Sequence, residues 1–272
     1  MRQPLQKLVW PATAAAWLGQ GSALLAGPAV RLSDAAAWTT PALVLGAYGV
    51  DGAEAASVDV LRFLPTEVTA VEVPGPGDAT TAAGYGRGFL PGGLVPVWDI
   101  APTTVPRGSE LWRIHADGTQ EMLAPYAGPA SGWLGTGVFA PTPAVLGPRA
   151  RWNGVEYAVS WVDDETVELV AVGEQPEEGF AQTRPHIFAR TVARAECEEI
   201  FALTVHARWR DIACVAVDSD GAEVAVLLRT DAETAQRVGA LTLEPGVFWL
   251  PVPRAELSDI RSEATLPVSS SL

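Results

Sequence analysis

The chain has few of the residues that most often carry catalysis or bind metals. Among its 272 residues are two cysteines, three histidines and a single lysine, Lys7. Two cysteines are too few for a disulfide framework, and no CxxC, HxH or HExxH spacing occurs that would indicate a metal site. A G-x-S-x-G nucleophile elbow is absent as well. We therefore expect no cofactor, no metal and no catalytic residue.

Long apolar runs and an excess of positive charge are also missing. No stretch of about 18 apolar residues occurs, which predicts no membrane span. The net charge of −14 is uneven, since residues 1–150 hold 8 basic and 11 acidic side chains and residues 151–272 hold 10 basic and 21 acidic ones. Such a chain repels phosphate backbones, which argues against nucleic acid as a partner. The negative field favours a basic protein partner, although acidic charge can also serve solubility alone.

Two features of the sequence bear on location. Residues 1–29 mimic a signal peptide, with basic residues before an apolar stretch. Pro11, Gln20 and Gly21 interrupt that stretch, so we expect a folded segment there. The low cysteine count fits a reducing compartment, and the sequence thus predicts a cytoplasmic protein.

The abundant residues predict many short strands. Apolar side chains make up 48% of the chain, and 26 glycines and 22 prolines interrupt it often. The predicted fold class is therefore mainly β with some α. Residues 1–148 are expected to form an N-terminal α+β domain, with a long Gly/Pro-rich loop at 73–93 and a hairpin centred on Asp117-Gly118. The buried positions of that hairpin are predicted to be Trp112, Ile114, Met122 and Leu123.

The second half of the chain is a tandem duplication. ARWNGVEYAVSWVDDETVELVA (150–171) aligns without a gap to ARWRDIACVAVDSDGAEVAVLL (207–228), and both alternate apolar residues around an acidic turn, as hairpins do. RPHIFARTVARAECEEI (184–200) aligns similarly to EPGVFWLPVPRAELSDI (244–260). The second copy is three residues longer between these blocks, where Asp231 is expected to cap a short helix.

This duplication predicts the domain organisation. Repeat 1 is expected at 149–204, repeat 2 at 205–262 and a flexible tail at 263–272. Copies of about 55 residues with this pattern resemble small SH3-like barrels, so the expectation is an N-terminal α+β domain followed by two tandem SH3-like β repeats.

Residues that both copies share are expected to serve the fold. Trp152 aligns with Trp209, and both are predicted to be core residues. Cys197 and Cys214 align with the apolar residues Leu257 and Tyr157 of the other copy, so both cysteines are predicted to be buried and reduced.

Loops that differ between the copies are the candidate partner-binding residues. Asp163, Asp164 and Glu165 form the acidic turn of the first hairpin, and Trp161 precedes it where the second copy has Asp218. Glu177 and Glu178 add charge in the connection that differs between the copies. Loops on a shared frame are where recognition is usually placed, although a solvated turn is the alternative.

Three strings resemble those of actinobacterial proteins associated with secreted-toxin systems. They are LWRIHADGTQEMLAPYAG (111–128), ARWRDIACVAV (207–217) and PGVFWLPVPRAEL (245–257), within a region of resemblance at 95–262. The associated systems include type VII secretion neighbourhoods and necrotizing-toxin-like NAD glycohydrolases. This resemblance implies a non-catalytic role, either as an immunity protein or in accessory binding.

Three functional hypotheses follow from the sequence. The first is a non-catalytic protein-binding module, an immunity protein that neutralises a basic secreted toxin through acidic loops. The second is an enzyme similar to ADP-ribosyltransferases and NAD glycohydrolases, because LWRIHADG (111–118), Ser131 and later glutamates resemble the residues that line a nicotinamide pocket. The third is a structural or assembly component.

Overall fold

The computed structural model describes residues 3–72, 88–174, 176 and 179–267, and these residues are mainly β. The predicted mainly β class with some helix is confirmed. None of the described helices has the length and apolarity needed to cross a bilayer. The strands of the N-terminal domain are β1 Leu5–Val9, β2 Leu24–Arg31, β3 Ser57–Phe63, β4 Val71–Glu72, β5 Trp98–Thr104, β6 Glu110–His115 and β7 Gln120–Pro125.

A seven-stranded sheet of order β4-β5-β2-β1-β3-β6-β7 forms the N-terminal domain. Two short helices accompany it, α1 (Pro11–Gln20) and α2 (Pro41–Ala47). Each begins with proline in its first turn, where the missing N–H costs no hydrogen bond. Gly21, at φ +76°, ends α1 in the left-handed conformation that glycine tolerates best.

The Asp117-Gly118 turn joins β6 to β7 as predicted, but the assignment of Met122 to the buried face was wrong. Met122 is exposed, and the buried neighbours are Leu111 and Ala124. The ladder shifts register between Leu111 and Trp112, and such a bulge reverses which side chains face the core.

The second half of the chain supplies an eleven-stranded sheet. Its strands are β8 Leu146–Trp152, β9 Val155–Trp161, β10 Thr166–Val172, β11 Ala181–Arg184, β12 Ile187–Ala193, β13 Glu199–Trp209, β14 Ile212–Ser219, β15 Glu223–Leu228, β16 Leu241–Glu244, β17 Val247–Pro253 and β18 Leu257–Thr265. A helix, α3 (Ala232–Arg237), precedes β16, and Asp231 caps it by accepting from the Thr234 N–H at 2.8 Å. The predicted cap of this helix is therefore confirmed.

Both copies of the duplicated sequence have the same pattern of strand pairing. In the first, β8 pairs with β9 and β13, β9 with β10, β10 with β12, and β12 with β11. In the second, β13 pairs with β14 and β18, β14 with β15, β15 with β17, and β17 with β16. A three-residue 3₁₀ turn precedes the last strand of each copy. We call β8–β13 repeat 1 and β13–β18 repeat 2.

The two repeats share β13. Its first half, from Glu199 to Thr204, pairs with β8, whereas Val205 to Trp209 pair with β14. The sequence-based boundary between 204 and 205 therefore falls inside one continuous strand. The strand β18 likewise runs to Thr265, into the segment expected to be a tail.

Each repeat encloses a core in which equivalent residues recur. Trp152 and Trp209 are both buried, as predicted. Each belongs to the same core cluster as the equivalent phenylalanine of its repeat, Phe188 or Phe248. Cys214 is buried in the repeat 2 core, whereas Cys197, which directly follows the 3₁₀ turn of repeat 1, is only half-buried. Both thiols are free.

The outer faces of both repeats pack on the N-terminal domain. Repeat 2 does so through a cluster of apolar residues that includes Val215 and Val217 against Ala26 of β2. Repeat 1 uses Ala158 and Val170 against Ala130. Beside these contacts the N-terminal and C-terminal sheets are joined by a buried ion pair, the Lys7 Nζ to the Glu244 Oε2 at 2.6 Å.

Candidate functional site

A cleft of about 180 Å³ lies between repeat 1 and the N-terminal domain. On the side of the N-terminal domain it is lined by residues 64–66, 104–107 and Pro129. On the side of repeat 1 it is lined by Pro148 and residues 159–164, which form the end of β9 and the start of its hairpin turn. Segments far apart in sequence thus meet at the acidic turn that the sequence singled out.

The structure places the predicted partner-binding residues in different ways. Trp161, Asp163 and Asp164 line the cleft. Glu165 is exposed on the same turn. The remaining two predicted residues, Glu177 and Glu178, lie outside the described residues.

The acidic turn is held by its own hydrogen bonds. The Asp163 Oδ1 accepts from the Glu165 N–H at 2.9 Å, and the Val162 N–H donates to the Thr166 carbonyl at 2.9 Å. Hydrogen bonds from Glu165 and Thr166 lower the pKa of Asp163 below its usual range. Because the carboxylate is exposed and its pKa is lowered, the turn presents a fixed negative charge at neutral pH.

Behind the turn, three buried polar atoms have no hydrogen-bond partner among the described residues. They are the Ser160 Oγ, the Trp161 Nε1 and the Glu168 Oε2. Ser160 is only 5% exposed. Ser160 and Glu168 lie directly opposite each other on β9 and β10. Ser160 and Glu168 thus share one face of the sheet, whereas Trp161 packs on the repeat 1 core on the other face of β9. Buried polar atoms in proteins are nearly always hydrogen-bonded, so the Ser160 and Glu168 oxygens together are unusual.

Among the described residues of the N-terminal domain, one basic side chain reaches this region. The Arg107 Nη1 lies 3.0 Å from the Glu168 Oε1. This ion pair uses one carboxylate oxygen of Glu168 and leaves the other without a partner among the described residues. Among the described residues, the carboxylates of Asp163, Asp164 and Glu168 outnumber the one guanidinium of Arg107 in this region.

The strand β9 also has an open edge along the cleft. Its ladder with β10 continues to Trp161, but its ladder with β8 stops at the pair Ala158–Arg149. Pro148, the next residue of β8, lines the cleft and has no N–H to donate. The Val162 N–H donates to the Thr166 carbonyl, so Val162 forms a hydrogen-bonded pair with β10. In an antiparallel ladder every second residue forms such a pair, and the residues between them direct their backbone N–H groups to the other side. The N–H groups of Val159 and Trp161 therefore point away from β10, toward the cleft.

Repeat 2 provides an internal comparison for this region. The residues aligned with Ser160, Trp161 and Glu168 are Val217, Asp218 and Ala225. Val217 is buried in the apolar contact with the N-terminal domain. The shared fold does not require these three polar side chains, because the other copy forms the same strands without them.

Other residues considered from the sequence are not brought together. The Arg113 guanidinium is held by both carboxylate oxygens of Asp59, at 2.8 and 2.9 Å. It lines a second, mainly apolar cleft to which neither His115 nor Ser131 contributes. His115 lies instead at an exposed hairpin position, with its Nε2 3.4 Å from the Glu121 Oε2. Within the described parts of the chain, no group of three or more His, Cys, Asp or Glu side chains is placed to hold a metal ion.

Sequence reasoning missed Ser160, Glu168 and Arg107. Ser160 and Glu168 carry a detectable signal, since each is a polar residue at a position that is apolar in the second copy. Arg107 carries no such signal because it comes from the other domain.

No protein-family model, no curated protein and no solved structure matches this chain.

Proposed function

We propose that the chain is a non-catalytic protein-binding module that holds a basic partner at the cleft of repeat 1. The observation that carries this proposal is the exposed acidic turn at the cleft, beside the buried Ser160 Oγ and Glu168 Oε2 that have no partner among the described residues. Repeat 1 and repeat 2 are, in this proposal, SH3-like barrels. Their six strands each, with β13 shared and a 3₁₀ turn before the last strand, support that description.

The proposed partner is a basic secreted toxin domain, and the proposed role is that of an immunity protein. A net charge of −14 supports a basic partner, because opposite charge speeds encounter and fixes the orientation of binding. In this role the protein acts in the cytoplasm, where it meets the toxin before harm is done. The acidic turn steers the partner, and the cleft behind it holds the bound segment.

The test is a series of association rates measured against salt, with whichever basic protein co-purifies with the chain or is encoded beside its gene as the partner. Asp163→Asn, Asp164→Asn and Glu165→Gln together remove three negative charges. We expect this variant to associate about 10-fold more slowly at low salt, and to lose most of its salt dependence. The dissociation rate should change less, because charges at the rim act mainly on encounter.

The matched control neutralises the equivalent tip of repeat 2. Asp218→Asn, Asp220→Asn and Glu223→Gln change the net charge by the same amount at a site where the aligned cleft residues are missing. This control should keep nearly the association rate of the unmodified protein. Equal salt slopes for both variants, or the absence of any complex with a basic protein, would overturn the proposal.

A further inference from the structure

We propose that two copies of the chain associate through the outer edge of β18, with the two strands antiparallel about a two-fold axis. In this pair Ser262 lies opposite Ser262 of the second copy, and the eleven-stranded sheets of both copies join into one. The strand β18 belongs to repeat 2 and lines no part of the cleft of repeat 1, so this surface is separate from the proposed binding site.

The strand β18 has one free edge, whereas its counterpart in repeat 1 is paired on both edges. That counterpart, β13, pairs with β8 and β14 along one edge and with β18 along the other, so that Thr204 has both Leu146 and Glu263 as partners. Among the described residues β18 pairs with β13 alone. Its outer edge therefore offers backbone N–H and C=O groups to a further strand.

This free edge is also long. The strand β18 has nine residues, whereas the other described strands that end a sheet, β4, β7, β11 and β16, have two, six, four and four. Proteins usually keep exposed edge strands short, because a long one is a template for pairing with another chain. Of these edges, β18 is thus the one best suited to such pairing.

The side chains of β18 lack the cover that their equivalents in repeat 1 have. Ile260 aligns with Ile200, and their exposed fractions are 50% and 8%. Two residues further along, Ser262 is exposed, whereas the aligned Ala202 is buried. The face of β18 that carries Ile260 and Ser262 is therefore open to the side chains of an added strand.

A bulge sets where the pairing can begin. The ladder between β18 and β13 shifts register between His206 and Arg208, and Asp259 beside this shift has a φ of +50°. Bulges bend a strand and disrupt its ladder locally. We therefore expect pairing to begin after the bulge, over the regular stretch from Ile260 to Thr265.

The charges of this stretch select the register. Two antiparallel strands related by a two-fold axis place one residue opposite its own copy, because directly opposed side chains project to the same face of the sheet. If Arg261 or Glu263 takes this central position, two like charges oppose each other. If Ser262 takes it, Arg261 of each copy lies opposite Glu263 of the other, and such opposite-charge pairs stabilise neighbouring strands.

Both charged side chains can form these contacts. Among the described residues the Arg261 guanidinium has no ion-pair or hydrogen-bond partner. The Glu263 carboxylate is 59% exposed, and its described contact is through the Oε2, 3.3 Å from the His206 Nε2. On the other face of the strand, Ile260 would lie opposite Ala264 of the second copy, so that a large side chain meets a small one.

Sedimentation equilibrium of the full chain, at about 5 to 500 µM in about 0.15 M salt, measures this association, since salt screens the repulsion between two chains of net charge −14. We expect a reversible equilibrium between monomer and dimer. Arg261→Glu and Glu263→Arg, each alone, should weaken the dimer at least about 10-fold, because two attractive pairs become repulsive. These variants change the net charge in opposite directions, so a loss in both cannot come from net charge.

An equimolar mixture of the two variants tests the register. In a mixed pair each introduced charge lies opposite one of the other sign, so association should return to within about threefold of the unmodified protein. Arg237→Glu and Glu233→Arg are the matched controls, since they make the same charge changes at an exposed ion pair on α3. Each control should leave the association constant within about twofold.

A cross-link gives a second measure of the same register. Ser262→Cys places a thiol opposite its own copy and should form a disulfide-linked dimer under mild oxidation, whereas Ser258→Cys, at another exposed position of β18, should not. If a charge variant fails to fold, this comparison decides. A monomer at all concentrations, dimers that the charge variants do not weaken, or a mixture that fails to associate would each overturn the β18 pairing.

Discussion

Replacing Lys7, the only lysine of the chain, by methionine should destabilise the protein strongly. Lys7 is fully buried on β1, and its ammonium donates to the Glu244 carboxylate on β16, which is 3% exposed. The same ammonium lies 3.4 Å from the carbonyl of Pro28. Methionine has a similar length and no charge, so the substitution removes the cation with little change in volume.

The magnitude follows from the charge left behind. Removing one partner of a buried ion pair costs about 3–5 kcal/mol, because the remaining charge is neither solvated nor paired. The double variant Lys7→Met, Glu244→Leu should be less destabilised than Lys7→Met alone, since apolar replacements of a whole buried pair are often neutral. The exposed pair Arg237–Glu233, 3.5 Å apart, gives the control, and Arg237→Met should cost less than about 1 kcal/mol.

The effect should depend on pH with a definite sign. Burial raises the pKa of Glu244 above its ordinary value, and Lys7 opposes that shift. Without Lys7 nothing on the lysine side opposes the effect of burial, so the pKa of Glu244 lies further above its value in the unfolded chain. Between these two pKa values Glu244 is protonated in the folded variant and ionised in the unfolded chain. A folded-state pKa above the unfolded one makes stability fall as pH rises between the two values. The defect of Lys7→Met should therefore be smaller near about pH 5 than near about pH 8.

Urea unfolding followed by tryptophan fluorescence and by circular dichroism measures these free energies, and coincident transitions justify a two-state analysis. A loss below about 1 kcal/mol for Lys7→Met would refute the argument, because an unpaired buried carboxylate cannot cost so little. A defect of equal size at both pH values would show that Glu244 does not respond to the missing cation.

Three further predictions concern the packing of the same molecule. Burial raises the pKa of the Cys214 thiol to about 11 and also raises that of Cys197. Because Cys197 is the more exposed, iodoacetamide should label it first in the native protein, as read by peptide mass mapping. Faster labelling of Cys214 would contradict its burial in the repeat 2 core. Gly27→Ala should destabilise the folded protein by about 1–3 kcal/mol in thermal unfolding, because φ is +82° and the new Cβ would lie 3.0 Å from atoms of both Glu244 and Val247. Gly135→Ala is the control, since Gly135 has the same φ but no neighbouring atom near the new Cβ, and it should cost less. Leu169→Ala should cost about 2–5 kcal/mol in urea unfolding, since Leu169 is fully buried in the repeat 1 core, whereas Leu43→Ala on the exposed face of α2 should cost far less.

Much of the second half of the fold could be predicted because the sequence contains two copies that can be aligned with each other. Two copies with the same alternation and the same turns identify strands more reliably than one copy does. The helix capped by Asp231 could be predicted because the second copy is three residues longer at that place. The sharing of β13 could not be seen in the same way. A strand that ends one repeat and begins the next leaves no break in the apolar alternation, so the boundary was placed where the alignment ended.

The errors have local physical causes. Met122 was assigned to the core on the assumption of strict alternation, which the register shift at Leu111 and Trp112 breaks. Cys197 was assigned to the core because it aligns with the apolar Leu257, yet both residues directly follow a 3₁₀ turn and both are only half-buried. Alignment between copies identifies which positions are equivalent, but an apolar residue at one of them does not show that the position is fully buried.

The same reasoning explains why the cleft was only partly predictable. Its acidic turn lies within one hairpin and is visible in the sequence, whereas Arg107 and the segment at 64–66 come from the other domain. The useful signal is the difference between the repeats. Both copies present the same outer face to the N-terminal domain, but where repeat 2 closes the contact with Val217 and Ala225, repeat 1 has Ser160 and Glu168. Glu168 is paired through one oxygen with Arg107, but burying the Ser160 hydroxyl without a described partner costs about 1–3 kcal/mol, and valine would avoid that cost. A polar pair at a position where the fold accepts apolar residues is the signal on which the proposed binding site rests.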